Sequence, residues 1–478
     1  MPWAAPPERP TSSSLGEDDF VGTVAASVSA DRTGTMAEQG EVYECLDLSL
    51  RVGEVLLSSG AGAADVTATM LAVTRACGVR DVSADVTFVD LSLHHQPAVD
   101  QPAAVRMRRV TQRQVDYGDL TEVDQTVADL VEGRITREEA REQVARIVST
   151  GPHRRRWVVT LGWGVMGTGV ALTLGGGVVV CVLAFLAACA IDRTKKLLSR
   201  LRIPSFYEQA AGGFVATLIA VSAAATPLQV NPSRVVTAGI VMLLAGVGLL
   251  GATQDAMTGF PITATARLIN ASLDTVGIIA GVAAGLTFGE MVGVGIEDFK
   301  PGASGLAGAG VTVVGASLAA AGFAFASYAP LRSLVAVGVV GALGQTVELS
   351  VASSAEVGKT WGSAAAAITI GAVCYLVAGR FRVPPLVVVV PAIVPLLPGL
   401  QIYRGLALLA QGQDGVLQLA SALGTAMALA AGVILGQYLA SPLKREARRL
   451  ETRLSGPRMV GLLRRPGSRA ERPDGRAR

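Results

Sequence analysis

From about residue 157 to residue 440 the chain is a succession of apolar runs separated by short polar breaks. Runs near twenty residues match the hydrocarbon thickness of a bilayer when they coil into helices. They fall at roughly 158–174, 176–191, 212–228, 235–252, 269–288, 304–325, 331–346, 361–378, 386–400 and 417–440, which predicts ten membrane helices. Gly175-Gly176-Gly177 divides the first two; one continuous helix from Trp157 to Ala190 is the alternative at that point. The second and seventh runs, equivalent if the halves repeat, are both short, at about 15 to 17 residues.

The polar N-terminal third carries other periods. Val42, Leu46, Leu50, Val55 and Leu56 mark one face of a helix over Glu41–Ser59, and Asp65 could open a second helix running to Cys77. Val82, Ala84, Val86 and Phe88 alternate with polar residues, the pattern of a half-buried strand within 81–91, which Val105–Val110 could pair with. Helices are expected at about 119–132 and 137–149, the latter from a capping box at Thr136-Arg137-Glu138-Glu139. Residues 1–40 and 442–478 lack an apolar period and read as disordered; Met36 is an alternative start.

Two stretches recur. Leu243-Leu244-Ala245-Gly246-Val247 returns as Leu396-Leu397-Pro398-Gly399-Leu400, and Ala280-Gly281-Val282 with Gly285 returns as Ala431-Gly432-Val433 with Gly436. If each half holds five spans, the odd number forces the halves into opposite orientations, the inverted repeat of many secondary transporters.

Charge placement orients this frame. Arg154, Arg155 and Arg156, then Arg193 to Arg202, Arg267, Arg332, Arg380, Arg382, Lys444 and Arg445 fall on one side. The opposite loops carry one basic residue each at most: Arg234, Lys300, Lys359 and Arg404. Basic residues mark the cytoplasmic face, so both termini and the polar domain are expected there, in a multi-pass plasma-membrane protein whose surroundings are lipid. Mean hydropathy of +0.47 and 17% charged residues fit this class, and the 55 glycines suit close helix packing in lipid. No basic patch interleaves with aromatics, so nucleic acid is not an expected partner.

Candidate chemistry lies around the fourth and fifth spans. Gln254 and Asp255 follow the fourth, while Arg267, Asn270 and Asp274 share one face of the fifth. A carboxylate at the depth expected for Asp274 costs about 2.5–3.5 kcal/mol and marks function by default. Asp274 and Asp255 are therefore the candidate proton-coupling residues. Gly259-Phe260-Pro261-Ile262-Thr263-Ala264-Thr265 carries two helix breakers, and an unwound backbone there could hold a zwitterion, as broken transporter helices do. Gln254, Gly259, Pro261, Thr263, Arg267 and Asn270 form the first-half candidate substrate site; Pro398, Gly399, Tyr403 and Arg404 form the second-half one. Asp274 has no acidic mirror, its equivalent falling near Thr425. His94-His95 reads as a solvated loop pair, with no metal site or cofactor expected, and no nucleophile elbow, P-loop or metalloprotease helix is present. An enzyme is not expected.

The segments Ser59-Gly60-Ala61-Gly62-Ala63-Ala64-Asp65-Val66, Gln254-Asp255 through Gly259, Pro261, Thr263, Ala264, Ala266 and Arg267, and Pro391 to Gly405, in that order, resemble the threonine/serine exporter family over about residues 40–440. The resemblance implies export of small hydroxy amino acids driven by the proton gradient, and relatives whose two halves occur as separate chains. Members of that family often carry a carboxylate where this chain has Asn270, so a proton-carrying role for this face requires Asp274, one turn on, to substitute. The expected architecture is a polytopic α-helical membrane protein of about ten helices in two inverted five-helix halves, 157–290 and 304–441, behind a small cytoplasmic α+β domain over 41–156. Expected function is antiport of a small amino-acid substrate against protons by alternating access. A passive channel and a membrane-embedded sensor are the alternatives, and a homo-oligomer is compatible with the chain.

Overall fold

The computed structural model describes residues 40–97, 102–110, 115–150, 154–226, 232–240, 243, 246–294, 308–354, 358–410 and 412–454. Most of the segment 1–40, the Lys300 loop and the end of the tail lie outside them.

The polar part is built around one helix, α1 (40–58). Its two apolar faces serve two small cores. Leu46, Leu50 and Leu57 meet Val66 and Met70 of α2 (Ala63–Ala76) and Val86, Leu91 and Leu93 of the sheet. Leu48, Val52 and Val55 meet Val123 and Val127 of α3 (Tyr117–Val131) and Val144 and Ile147 of α4 (Arg137–Ser149). Asp116 caps α3 by accepting from the Gly118 and Asp119 amides, and α4 carries the Thr136–Glu139 capping box expected from its sequence.

The sheet differs from the expected pair of strands. Its order is β1 (Val82–Val86), β2 (Asp90–His95), β3 (Ala104–Arg109), all antiparallel, so Val105 pairs with His94 of β2 rather than with β1. The alternation that suggested one strand over 81–91 turns a corner after Val86. His94 and His95 are therefore strand residues, not a solvated loop pair; His95 is buried.

The rest is helical: α5 (Arg156–Thr173), α6 (Val178–Arg200), α7 (Ser205–Ala224), α8 (Pro232–Ile240), α9 (Gly246–Met257), α10 (Pro261–Met291), α11 (Ala309–Ala326), α12 (Leu331–Ser354), α13 (Gly358–Phe381), α14 (Leu386–Ile393), α15 (Gly399–Ala410) and α16 (Val416–Leu454). Among the described residues five helices are long and apolar enough to cross a membrane: α10, α11, α12, α13 and α16. A sixth is added if α14 with its 3-10 extension and α15, bent by 44°, count as one span. Ten were expected. Glycines in α5, Asp192, Arg193 and Lys195 in α6, and Glu208-Gln209 in α7 lower the apolarity of those helices, and the fourth run is split into α8 and α9.

Several boundaries move. Glycines 175–177 do separate α5 from α6, with Gly175 at φ +73°. The second and seventh runs are not short as helices, since charged and small residues extend α6 to 23 residues and α12 to 24. Helix α16 continues to Leu454 instead of ending in a disordered tail at 442; Lys, Arg, Glu, Ala and Leu, all good helix formers, dominate its last turns.

Small residues set the helix contacts. In the first membrane half α10 lies against α7: a Cβ on Gly281 would strike the Ala210 carbonyl, and one on Gly285 would come 2.7 Å from Thr217. In the second, α16 lies against α13: a Cβ on Gly432 would come 2.8 Å from the Ala364 carbonyl, and one on Gly436 would strike that of Ile368. These are the four glycines of the recurring stretch. Between the halves α5 meets α11, where a Cβ on Gly315 would come 2.6 Å from the Gly169 carbonyl and one on Gly322 2.6 Å from the Met166 amide. Such approaches let backbones pack closely where lipid supplies no hydrophobic drive.

Two predictions follow from this packing. Gly281→Leu or Gly432→Leu should abolish the monodisperse gel-filtration peak of the detergent-solubilised protein, whereas Gly424→Leu on α16, with no atom near its added Cβ, should leave it intact. Burial pushes the Asp124 carboxyl of α3 up to about 6. A raised carboxyl stabilises the fold below its ordinary value and loses that contribution as pH climbs through 6. Asp124→Asn should therefore match wild-type thermal stability at pH 4 and exceed it by about 1 kcal/mol at pH 7, the full shift being discounted for partial solvent exposure.

Candidate functional site

The polar residues around the fourth and fifth runs meet the polar N-terminal part. Helix α9 ends at Met257, Gly259 takes the left-handed conformation at φ +91°, and Pro261 opens α10 at its first position. The expected unwound stretch is thus confined to residues 258–260; Thr263 and Thr265 are helical, because proline at a helix start costs no hydrogen bond. This corner brings Asp255 of α9, fully buried, within 3.0 Å of the Nε of Arg267 on α10, itself 8% exposed. Gly251 makes room for the guanidinium, since a Cβ there would come 2.5 Å from Nη1.

Both partners of this ion pair also hold the loop before α2. Asp255 Oδ1 accepts the Ala63 amide at 2.9 Å, and Arg267 Nη2 donates to the Ala61 carbonyl at 2.9 Å. Gly62 at the N-cap of α2 offers no side chain, so a carboxylate 192 residues further along the chain does the capping. It also meets the positive end of the α2 dipole. Gly60 turns the loop at φ +92°. Beside it the buried Thr263 hydroxyl donates to the Val86 carbonyl at the end of β1, 3.2 Å away.

Asp65, in the first turn of α2, is accessible to solvent yet closely surrounded. That crowding, with Asp255 nearby, pushes its carboxyl above the usual range. Contacts to the second half complete the docking. The Tyr117 amide donates to the Ser327 carbonyl at 2.9 Å between α11 and α12, and Gln125 Nε2 donates to the Arg382 carbonyl at 2.9 Å after α13. The N-terminal part therefore holds both membrane halves at one end.

The other expected residues take no part in the Asp255–Arg267 pair. Gln254 is half-buried, Gly259 and Pro261 are exposed, and Asn270 is exposed, donating to Asp274 Oδ2 at 3.4 Å. Asp274 does not reach Arg267. It is half-buried and faces Ser205 and Gln209, with Lys195 and Glu208 within electrostatic reach, level with the turn between α6 and α7. It therefore lies beside the first residues of α7, although α10 starts eight residues before the expected span and Asp274 is its fourteenth residue.

Pro398 and Gly399 are buried at the break between the 3-10 turn Val394–Leu396 and α15. Tyr403, 2% exposed, packs in one cluster with Leu243, between α8 and α9, and with Val235 and Ile240. The second recurring Leu–Gly stretch therefore marks a helix break, and each of the two stretches is followed by a twelve-residue helix. Arg404 is half-buried on α15. Residues 241, 242, 244 and 245, between α8 and α9, lie outside the described ones.

Two buried carboxylates escaped the sequence reading. Asp192 on α6 accepts from Thr160 at 2.7 Å and pairs with Arg156. Glu348 on α12, 5% exposed, accepts from Gln345 and Ser363. Its signal was an acid two residues past the drawn end of an apolar run. Among the described residues no His, Cys, Asp or Glu group is arranged to hold a metal ion.

Removing one member of a buried ion pair strands the other at a cost of about 3–5 kcal/mol. Asp255→Ala and Arg267→Ala should each release the N-terminal part, read as faster tryptic cleavage between residues 58 and 80. Arg267→Lys should rescue only partly, because it cannot serve Asp255 and Ala61 together.

Comparison with known proteins agrees with the segments in this corner. One sequence model of the threonine/serine exporter family matches residues 47–289, and a second, described as "Threonine/Serine exporter, ThrE", matches residues 312–439. The first takes in the polar part together with helices up to α10. A "Probable threonine/serine exporter" of Mycobacterium tuberculosis is 37% identical over 462 residues, covering 93% of this chain and 87% of the relative. A "Threonine/serine exporter" of Corynebacterium glutamicum is 33% identical over 422 residues, 86% of each chain. No solved structure matches. The family is one of membrane transporters and not of enzymes, and by both its halves this chain belongs to the threonine/serine exporter family.

Proposed function

We propose that this chain exports threonine, serine or similar small amino acids across the bacterial cell membrane in exchange for protons, by alternating access between two inverted five-span halves. The observation that carries this reading is the apolar cluster through Leu243 and Tyr403 that joins the α8 and α9 region of the first half to the broken pair α14–α15 at the corresponding place in the second. Discontinuous helices at a repeat interface are where transporters bind substrate. The matched glycine seams, α10 on α7 and α16 on α13, support the same repeat.

In this reading α5, α6, α7 and the α8–α9 pair cross the membrane with the six more apolar spans, and both termini face the cytoplasm. The breaks at Gly259 and at Pro398-Gly399, with Gln254, Asn270, Tyr403 and Arg404 near them, offer backbone and side-chain partners to the amino-acid zwitterion. Asp274, among Ser205, Gln209 and Lys195, is the proposed proton carrier of the first half, while Asp255 is committed to the docking pair.

Counterflow of labelled amino acids in proteoliposomes should favour threonine and serine. Asp274→Asn should keep a wild-type gel-filtration profile and lose at least about 90% of flux driven by a pH gradient. Full driven flux in Asp274→Asn would remove the proton role. Wild-type flux indifferent to the gradient would indicate a passive channel, and absence of flux a sensor.

A further inference from the structure

A second carboxylate, on α12 rather than α10, is buried in a helix apolar enough to cross a membrane. Glu348 sits on α12, a span by length and composition, with 5% of its surface exposed. Gln345 Nε2 donates to one oxygen at 2.7 Å and Ser363 Oγ of α13 to the other at 2.8 Å. The two helices close around it: a Cβ on Gly362 would come 2.8 Å from the Glu348 carbonyl.

The charges around it are few. Helices α11 and α14, which pack on α12, carry no ionisable residue. On α12 the other charge is Arg332, sixteen residues away or roughly 24 Å along the helix. On α13 Arg380 is seventeen residues beyond Ser363, Cys374 and Tyr375 lie three turns along, and Lys359 precedes Ser363 by one turn. On α16, which packs on α13, Tyr438 is exposed on the outside of the bundle. Among the described side chains no cation lies within ion-pair distance of Glu348. Among the described side chains only neutral dipoles hold it, and none of them makes an ion pair that proton uptake would break. Both neighbours donate, which suits a carboxylate that binds a proton and does not suit a chelated metal ion.

Its position complements Asp274. Helix α12 begins beside Ser327, where Tyr117 of the polar part docks, and Glu348 lies seventeen residues on, roughly 25 Å toward the opposite end. Asp274 lies level with the α6–α7 turn. We propose that Glu348 is a proton-binding site of the second half, exchanging its proton with the side of the membrane remote from the N-terminal part. This rests on the exporter reading above for its transport role, though not for proton binding itself.

The test uses the full chain in proteoliposomes with labelled threonine, in exchange at equal pH and in accumulation driven by an imposed pH gradient. Glu348→Gln should keep exchange within about twofold and lose driven accumulation by at least about tenfold. Driven accumulation at wild-type level in Glu348→Gln overturns the proposal. So does loss of exchange along with it in a well-folded variant, because the residue would then serve substrate or structure. If the wild type moves no threonine, the exporter reading fails, and proton binding is read by itself. A protonated-carboxyl band in pH-jump infrared difference spectra that Glu348→Gln abolishes supports the site, and an unchanged band overturns it.

Discussion

The buried pair of Asp255 and Arg267 is the contact on which the arrangement of this molecule depends. Neither charge could stay in so dry a place alone, and each has a further partner in the backbone just before α2. The carboxylate serves the start of one helix and the guanidinium the carbonyl two residues earlier. A loop of Gly60, Ala61 and Gly62 has no side chain long enough to compete for them. The result ties the polar part to the corner between α9 and α10, and the Thr263–Val86 hydrogen bond repeats the tie one turn along. Because Tyr117 and Gln125 hold loops of the second half, any movement of one half against the other must pass through this docked unit. The crowded, solvent-accessible Asp65 lies at the same seam.

Behind that contact the two membrane halves use the same devices. Each sets one long helix against another through glycines spaced four apart, and each carries a Leu–Gly stretch before a twelve-residue helix. Small residues give close, sliding surfaces, and interrupted helices expose backbone groups at depth. Together these are the packed helices, seam and nearby polar groups on which the proposed alternating access rests. The polar groups themselves are unequal, with Asp274 on α10 beside the first residues of α7 and Glu348 on α12 between Gln345 and Ser363.

Much of this was legible in the residues. The apolar runs mark the helices from α5 to α16, and the recurring glycines were found before their contacts. The capping box of α4 and the faces of α1 follow from simple periods. The docking pair was half legible: Asp255 and Arg267 stood out as charges beside apolar runs, but their partners are a backbone amide and a carbonyl, which leave no side-chain signature. Pro261 read as a helix breaker although proline at the first helical position favours a helix, so α10 begins earlier than drawn and Asp274 is its fourteenth residue. Strand β2 was missed because Leu91 and Leu93 are buried alongside Ser92, which blurs the two-residue period. Glu348 was missed because apolarity falls off before the helix does.

The central claim is that threonine leaving through this protein is exchanged for protons. The most direct measurement traps a pH-sensitive dye inside proteoliposomes loaded with threonine and follows lumenal pH as the amino acid flows out down its gradient. Exchange predicts that the lumen acidifies in step with threonine efflux, and that protein-free vesicles stay flat. Threonine efflux at an unchanged lumenal pH would contradict it.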